Sequence, residues 1–245
     1  MKNLVLSVAV LGAASLATGC GGGTTTLPGT ITASWTLQDW DDATGQPTPA
    51  TCPAGADTAT VYALPHGDTN TADADKDLFN CSDGTGTTAG HIAGDYDVWV
   101  EITDHSGATL YAQSDAKASV PVDDNTDTSV SFAFQVNRGY VSAAWTLKGG
   151  TSGNTLDCTT AGVAAVEMDN MVGTNTPISD QFNCTPQQNV TDPLPLATYQ
   201  VALQAIDGST PPVGLGPATV AGNADLQYGN QDVDEGTVVL SVDGQ

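Results

Sequence analysis

Basic residues are scarce in this chain. Of its 245 residues only 5 are Lys or Arg, against 28 that are Asp or Glu, so the formal net charge is −23. Nucleic-acid affinity comes mostly from basic side chains that displace the counterions of phosphates, and anionic lipid surfaces attract basic segments in a similar way. A chain this acidic is repelled by both. We therefore predict no nucleic-acid partner and no attachment to a membrane surface by charge.

Glutamate is scarce as well, since Glu101, Glu167 and Glu235 are the only Glu residues in an acidic set that is otherwise Asp. Asp competes with the helical backbone for hydrogen bonds and prefers turns and caps. No segment shows the period of a long amphipathic helix. These absences favour strands joined by turns, and a hydrophobic content of 40% suffices for a core.

The sequence also lacks the usual catalytic motifs. It contains no Gly-x-Ser-x-Gly elbow, no His-Glu-x-x-His and no glycine-rich phosphate loop. The three histidines, His66, His91 and His105, lie in loops or beside turns of the first half, and the Asp and Ser that flank His105 are typical of a turn. We predict that the chain is not an enzyme and carries no catalytic cofactor.

The first twenty residues are typical of an export signal. Lys2 precedes an uncharged apolar run over residues 4–17, which is too short to span a membrane as a helix. The segment ends in Leu-Ala-Thr-Gly-Cys at Cys20, and this sequence resembles the lipobox of bacterial lipoproteins. The resemblance implies that residues 1–19 are removed and that Cys20 carries acyl chains, palmitate among them, that anchor the chain in a membrane. The alternative is an ordinary signal peptide with an incidental cysteine.

Residues 20–28 then comprise the lipidated cysteine and a Gly/Thr tether, which cannot bury a core and lifts the folded part off the membrane. By analogy with enterobacterial sorting, Gly21 in place of Asp favours the outer membrane. We expect an exported lipoprotein on the periplasmic or surface face of that membrane.

Four cysteines remain, which are Cys52, Cys81, Cys158 and Cys184. An even number of cysteines in an exported chain is typical of disulfides. The sequence has no Cys-x-x-Cys pair, and its histidines are remote from the cysteines, so zinc ligation by these thiols is disfavoured. We predict two structural disulfides.

The chain contains an internal repeat. Residues 31–37 return at 141–147, and the triplet Phe-Asn-Cys that ends at Cys81 returns ending at Cys184. In both copies a tyrosine follows this cysteine after 15 residues, and an Asp follows the tyrosine after 8. Chance does not produce such an order, so we predict two homologous domains of ordinary size.

We assign residues 29–136 to the first copy, called repeat 1, and residues 138–245 to the second, called repeat 2. Because each copy holds two of the four cysteines, the simplest pairing joins cysteines of the same copy. The predicted disulfides are Cys52–Cys81 and Cys158–Cys184.

Each copy begins with the period-two alternation of a strand that has one buried face. This alternation places Trp35 and Trp145 in the core, where an indole N–H needs a backbone partner. Further short candidates are divided by Gly, Pro, Asn and Asp, as in a sandwich. They are Thr58–Leu64, Tyr96–Ile102, Thr109–Gln113, Val120–Val122, Val130–Val136, Val163–Met168, Tyr199–Ala205, Ala218–Val220 and Thr237–Val242.

One strand and its turn resemble a known group of folds. Gly94, Tyr96 and Val98 lie in one strand, and an Asp-His-Ser-Gly turn follows at 104–107. This pattern resembles the Gly-x-Tyr-x-Val strand and turn of transthyretin-like, carboxypeptidase-regulatory-like and Cna-B-type sandwiches. The resemblance implies an all-β fold of two tandem antiparallel β-sandwich domains, Ig-like or transthyretin-like, and no particular function.

An acidic run in repeat 1 places Asp73, Asp75 and Asp77 at alternate positions. Alternate carboxylates can turn several oxygens toward one hard cation, which makes calcium a candidate ligand. The match to a calcium loop is partial, since Leu78 stands where a glycine is needed, and a solvated acidic loop is the alternative. The matching part of repeat 2 has fewer acidic residues, so we expect any cation site in repeat 1.

Two tryptophans are candidates for stacking on a ligand. The alternation that turns Tyr96 inward places Trp99 on the outer face of its strand, where repeat 2 has Ala202. Trp40 is a similar aromatic residue, which we place in a loop. Each could stack on a sugar ring or a partner, but packing against a neighbouring strand is the favoured interpretation.

These features together predict a non-catalytic, membrane-anchored lipoprotein of the cell envelope that acts as a structural or binding module. Two alternatives stay open, namely a calcium-dependent or glycan-binding adhesin that uses repeat 1 and an accessory subunit of an envelope protein complex. Repeat 1 holds 17 of the 28 acidic residues, so we expect any specific site there.

Overall fold

The computed structural model describes residues 27–244, so the predicted lipidation site Cys20 and most of the predicted tether lie outside the described residues. Two hydrophobic clusters organise this part of the chain, one drawn from residues 31–134 and one from residues 141–242. β-Sheets enclose each cluster, which confirms the predicted sandwich class. No helix within residues 27–244 is long and apolar enough to cross a membrane.

The strands of repeat 1 are β1 (Thr30–Asp41), β2 (Gln46–Pro49), β3 (Thr58–Pro65), β4 (Asp75–Asn80), β5 (Thr85–Thr87), β6 (Gly94–Thr103), β7 (Leu110–Gln113), β8 (Lys117–Val122) and β9 (Asp127–Gln135). In one sheet β1 pairs with β2, β5 and β9, and in the other the order is β4-β3-β6-β7, with β8 also paired to β6. Single 3-10 turns lie at Thr71–Asp73 and Cys81–Asp83.

The strands of repeat 2 are β10 (Arg138–Gly149), β11 (Thr155–Leu156), β12 (Ala165–Met171), β13 (Ile178–Asn183), β14 (Gln188–Val190), β15 (Leu194–Pro195), β16 (Thr198–Ile206), β17 (Thr219–Asp225) and β18 (Asp232–Val242). One sheet gathers β11, β14, β15 and β18 around β10, and the other has the order β13-β12-β16-β17. One helical turn, α1, lies at Cys158–Ala161.

The first and last strands of each repeat pair in parallel, β1 with β9 and β10 with β18. The other strand pairs of both sandwiches are antiparallel, as predicted. Parallel neighbours need a crossover between them. Here the strands between them supply it, because the chain of each repeat passes through both sheets before its last strand pairs with its first.

Both predicted disulfides are present, with separations of 29 and 26 residues, and they are Cys52–Cys81 and Cys158–Cys184. The buried indoles also find the expected backbone partners. The indole N–H of Trp35 donates to the carbonyl oxygen of Cys81 at 2.8 Å, and that of Trp145 donates to the carbonyl oxygen of Cys184 at 3.3 Å. Each disulfide therefore holds an acceptor for the central tryptophan of its core.

A tyrosine in the same strand of each repeat ties that strand to the loop before it. The hydroxyl of Tyr96 donates to the carbonyl oxygen of Ile92 at 2.9 Å, and the hydroxyl of Tyr199 donates to that of Pro195 at 2.7 Å. A similar bond, from a tyrosine hydroxyl to the backbone a few residues upstream, is the tyrosine corner of Ig-like sandwiches.

A loop of repeat 2 docks on an edge strand of repeat 1. The backbone N–H of Gly229 donates to the carbonyl oxygen of Tyr111 at 2.8 Å, and the carbonyl oxygen of Gly229 accepts from the N–H of Gln113 at 3.1 Å. A Cβ atom at Gly229 would overlap the carbonyl oxygen of Gln135. The close approach of the two backbones therefore requires glycine at this position.

Candidate functional site

The outer face of the five-stranded sheet of repeat 1 carries the predicted Trp99. In β6 the side chains of Val98 and Val100 are fully buried in the core, and the ring of Trp99 points the other way. The cross-strand partner of Trp99 is Tyr62 of β3. Their rings stack with a centroid distance of 4.8 Å and an interplanar angle of 2°.

The loop after β3 covers this aromatic pair. Leu64 and Ala74 pack against Trp99, and Ala74 directly follows the 3-10 turn Thr71–Asp73. As a result only 7% of Trp99 is exposed. The packing interpretation of Trp99 is the one that this geometry favours, because Tyr62 occupies one face of its ring and the loop limits access to the rest.

Glu101 lies beside both aromatic side chains. The indole N–H of Trp99 donates to Oε1 of Glu101 at 3.3 Å, and the hydroxyl of Tyr62 lies near enough to the same carboxylate for its pKa to respond. Burial, the bond to Glu101 and the charge of Glu101, in that order, raise the pKa of Tyr62 to about 12. Tyr62 is therefore a protonated donor at neutral pH, and the Glu101 carboxylate is fixed in orientation.

Asp97 lies on the same face, two residues before Trp99 on β6. Its Oδ1 atom lies 2.7 Å from Nδ1 of His66 and accepts a bond of 3.0 Å from the backbone N–H of Ser119. The hydrogen bond with His66, followed by the one from Ser119, lowers the pKa of Asp97. The sheet thus presents two oriented carboxylates, one on each side of the tryptophan along the strand.

A cleft of about 340 Å³ opens beside Trp99. Asp97 and Glu101 line it from β6, and Gln113 and Ser114 line it from the end of β7. The hydroxyl of Ser114 accepts a bond from a backbone N–H of β6, which leaves the amide of Gln113 as the adaptable polar group. The cleft offers several acceptors, one amide and an aromatic edge, which suits a ligand rich in hydroxyl groups.

The corresponding face of repeat 2 is built differently. By strand register, Asp169 and Ala202 form the cross-strand pair that corresponds to Tyr62 and Trp99. The same register puts Gln204 at the place of Glu101 and Gln200 at the place of Asp97. One scaffold therefore carries a stacked aromatic pair between two carboxylates of β6 in repeat 1, whereas the same face of repeat 2 has Ala202 between two amides of β16 and its carboxylates, Glu167 and Asp169, on β12.

A larger groove of about 450 Å³ lies on the outer face of the other sheet of repeat 2. Gln188 and Asn189 of β14 line one side, and Asp234 and Thr237 of β18 line the other. No sequence motif marks this groove, and Gly236, with φ of 70°, lies at an irregularity of β18 beside it. Its lining residues include no aromatic ring, so the cleft beside Trp99 is the better candidate site for a sugar.

The prediction that Trp40 lies in a loop is wrong. Trp40 belongs to β1 and pairs with Pro47 of β2, because the chain turns back at residues 42–45 and extends the strand. Its backbone N–H donates to Oδ1 of Asn137 at 2.9 Å, which ties the end of β1 to the connection between the repeats.

The acidic run is a loop only in its first part, because β4 begins at Asp75. Asp73 lies in the preceding turn, Asp75 lies 3.4 Å from Nδ1 of His91, and Asp77 accepts a bond of 3.1 Å from the backbone N–H of Ala89. Within residues 27–244 no group of three or more His, Cys, Asp or Glu side chains is placed to hold a metal ion. Calcium at these three Asp residues stays a prediction.

No family model and no curated protein sequence matches the chain. Similar solved structures include a leucine-rich repeat protein from Bacteroides thetaiotaomicron, with 14% identity and a TM-score of 0.34 over 88% of this chain and 26% of that one. They also include a candidate cell adhesion protein from Bacteroides ovatus, with 9% identity and a TM-score of 0.30 over 84% of this chain and 92% of that one. The minor pilin of Streptococcus agalactiae has 11% identity and a TM-score of 0.27 over 88% of this chain and 95% of that one. This chain thus spans about a quarter of the first of these proteins, and likenesses this distant carry no conclusion about its function.

Proposed function

We propose that the chain is an exported, lipid-anchored and non-catalytic module of the cell envelope, with two sandwich domains of which repeat 1 binds a glycan. The observation that carries the proposal is the cleft beside Trp99, where an aromatic ring and two oriented carboxylates meet on repeat 1 alone of two copies of one scaffold. The two disulfides support export, since such bonds persist in oxidising compartments.

The chemistry of the cleft favours a neutral sugar. Sugar hydroxyls can donate to Asp97 and Glu101, and such bonds to charged acceptors are about twice as strong as neutral ones. The amide of Gln113 can donate to a ring or hydroxyl oxygen and accept from another hydroxyl. The negative charge of repeat 1 repels uronic acids and sulfated sugars, so the proposal specifies uncharged oligosaccharides.

Binding to an immobilised panel of neutral and acidic oligosaccharides tests the proposal. We expect the exported chain to bind a subset of the neutral sugars, and Gln113→Ala and Asp97→Asn each to weaken that binding about tenfold, as expected when a bond to a charged or amide group is lost. The matched control is Gln200→Ala, at the place of Asp97 in repeat 2, which should leave affinity unchanged. A blank panel, or an equal loss in the control, would contradict the proposal.

The lipid anchor has its own prediction. Replacing the predicted acceptor, Cys20→Ser, should abolish incorporation of an alkyne-tagged palmitate and release the chain from the membrane fraction, because the acyl chains supply the binding energy for anchoring. Cys158→Ser, which removes a thiol of a disulfide, should keep the full label. Label retained by the Cys20→Ser chain would show that Cys20 is not the acylated residue.

A further inference from the structure

Two buried side-chain oxygen atoms at the edge of repeat 2 have no hydrogen-bond donor within the described residues. Asn170 of β12 is only 1% exposed, and its Oδ1 atom has no hydrogen-bond partner within residues 27–244. In the same described range, Oδ2 of Asp180 on β13 is buried and equally without a partner. Buried polar atoms are almost always satisfied in folded proteins, and two exceptions on neighbouring strands call for an additional group between or beside them.

Strand register makes these two residues neighbours on one face of the sheet. Asn170 pairs with Ile178, and Met168 pairs with Asp180, so Asn170 and Asp180 are diagonal neighbours on the core-facing side. The amide nitrogen of Asn170 donates to the carbonyl oxygen of Ile178 at 3.5 Å. The side chain of Asn170 therefore leans toward β13, the strand that carries Asp180.

Asp192 adds a third carboxylate or amide group with oxygen atoms to the same edge. It is exposed, and it stands at the place of Ala89 in repeat 1, whose backbone N–H donates to Asp77, the counterpart of Asp180. The basic residues of repeat 2 are Arg138 and Lys148, and neither forms an ion pair with Asp180 or Asp192 within the described chain.

We propose that Asn170 Oδ1, Asp180 Oδ2 and the carboxylate of Asp192 bind a calcium ion. The set consists of oxygen atoms alone, which selects a hard cation over zinc or copper. Only two of the three groups are acidic, and water completes the coordination, so the affinity falls in the range of about 10⁻⁴–10⁻³ M that is typical of extracellular calcium modules. This site is independent of the sugar cleft, which lies on repeat 1.

Repeat 1 provides an internal comparison. The register that equates Met168 with Val61 puts Ala63 at the place of Asn170, and Asp77 at the place of Asp180. Thr88 and Thr191 accept the same backbone bond from the first strands of their repeats, which puts Ala89 at the place of Asp192. Two of the three ligands are therefore alanine in repeat 1. The cation site lies in repeat 2, against the expectation from the density of acidic residues.

Thermal unfolding of the exported chain, first dialysed against EDTA, tests the site. Calcium chloride at about 5 mM, near tenfold over the expected Kd, should raise the Tm of the repeat 2 transition by about 4–8 °C. Magnesium chloride at the same concentration should give a smaller shift, because its small ion demands an octahedral shell that a strand edge does not preorganise. Isothermal titration should find one calcium ion per chain.

Variants separate a bound ion from a general effect of salt. Asp180→Asn and Asp192→Asn should each abolish the calcium shift, and Asp180→Asn should raise Tm in EDTA, because its amide N–H can donate to Oδ1 of Asn170. Asp169→Asn is the matched control, since Asp169 lies next to Asn170 on the opposite face and should keep the shift. Wild-type protein with no calcium shift, or a shift that survives Asp192→Asn, would overturn the proposal.

Discussion

Removal of the second disulfide, by Cys158→Ala together with Cys184→Ala, should lower the free energy of unfolding of repeat 2 by about 3–4 kcal/mol. The bond joins residues 26 apart, and closing a loop of this length removes that much entropy from the unfolded chain. The loss has a second source, because the carbonyl oxygen of Cys184 accepts the indole N–H of Trp145, a side chain only 1% exposed. A mobile Cys184 leaves that buried donor unsatisfied.

Urea unfolding followed by tryptophan fluorescence measures this loss, with Cys52→Ala and Cys81→Ala as the matched pair of changes in repeat 1. That disulfide spans 29 residues and holds the acceptor of Trp35, so its loss should be of similar size and confined to the transition of repeat 1. A decrease below about 1 kcal/mol for either pair would mean that the bonds are incidental to the two cores.

The central strands and the disulfides could be predicted because their signals are local. The alternation around Trp35 fixes which side chains face inward, and its recurrence around Trp145 confirms the period in a second copy. The cysteine pairing follows from the repeat alone. Each prediction rests on residues within one segment or on a comparison between two copies, so no knowledge of the packing between sheets was needed.

Elements that depend on distant partners were missed or misplaced. The start of β4 resembles a polar loop because it continues the acidic run through Asp75 and Asp77, and it is a strand because β3 offers a free edge for pairing. Trp40 belongs to β1 for the same reason, since β2 folds back on it. In both cases tertiary pairing overrides a weak local propensity.

The two candidate sites also differ in how far the sequence predicts them. Alternation alone places Trp99 on the outer face, but its stacking on Tyr62 depends on the register between β3 and β6, which the sequence does not reveal. Asn170 is less visible still, because a polar residue that faces a core has no signature in composition. The density of acidic residues predicts a cation site in repeat 1, whereas the site proposed in repeat 2 rests on two buried oxygens of Asn170 and Asp180 that have no hydrogen-bond donor within residues 27–244.

Gly229→Ala should separate the two repeats from each other while leaving both cores folded. The added Cβ would overlap the carbonyl oxygen of Gln135, and it would lie 2.5 Å from Cα of Val136. Both are backbone atoms at the end of β9, which cannot give way as a flexible side chain would. We expect the loss of two backbone hydrogen bonds and the overlap together to cost about 2–4 kcal/mol of docking energy.

Nitrogen-15 relaxation shows the separation directly. In the wild-type chain the amides of both repeats should report one common rotational correlation time, and in Gly229→Ala each repeat should tumble faster, with a larger radius of gyration in X-ray scattering. Gly208→Ala is the control, because its Cβ would lie at an ordinary 3.5 Å from Cβ of Ala164. Unchanged tumbling in Gly229→Ala would mean that the repeats are held by other contacts, such as the pair between buried Arg138 and Asp42. Faster tumbling would mean instead that Gly229 determines whether the two proposed binding sites, one on each repeat, move as a single body.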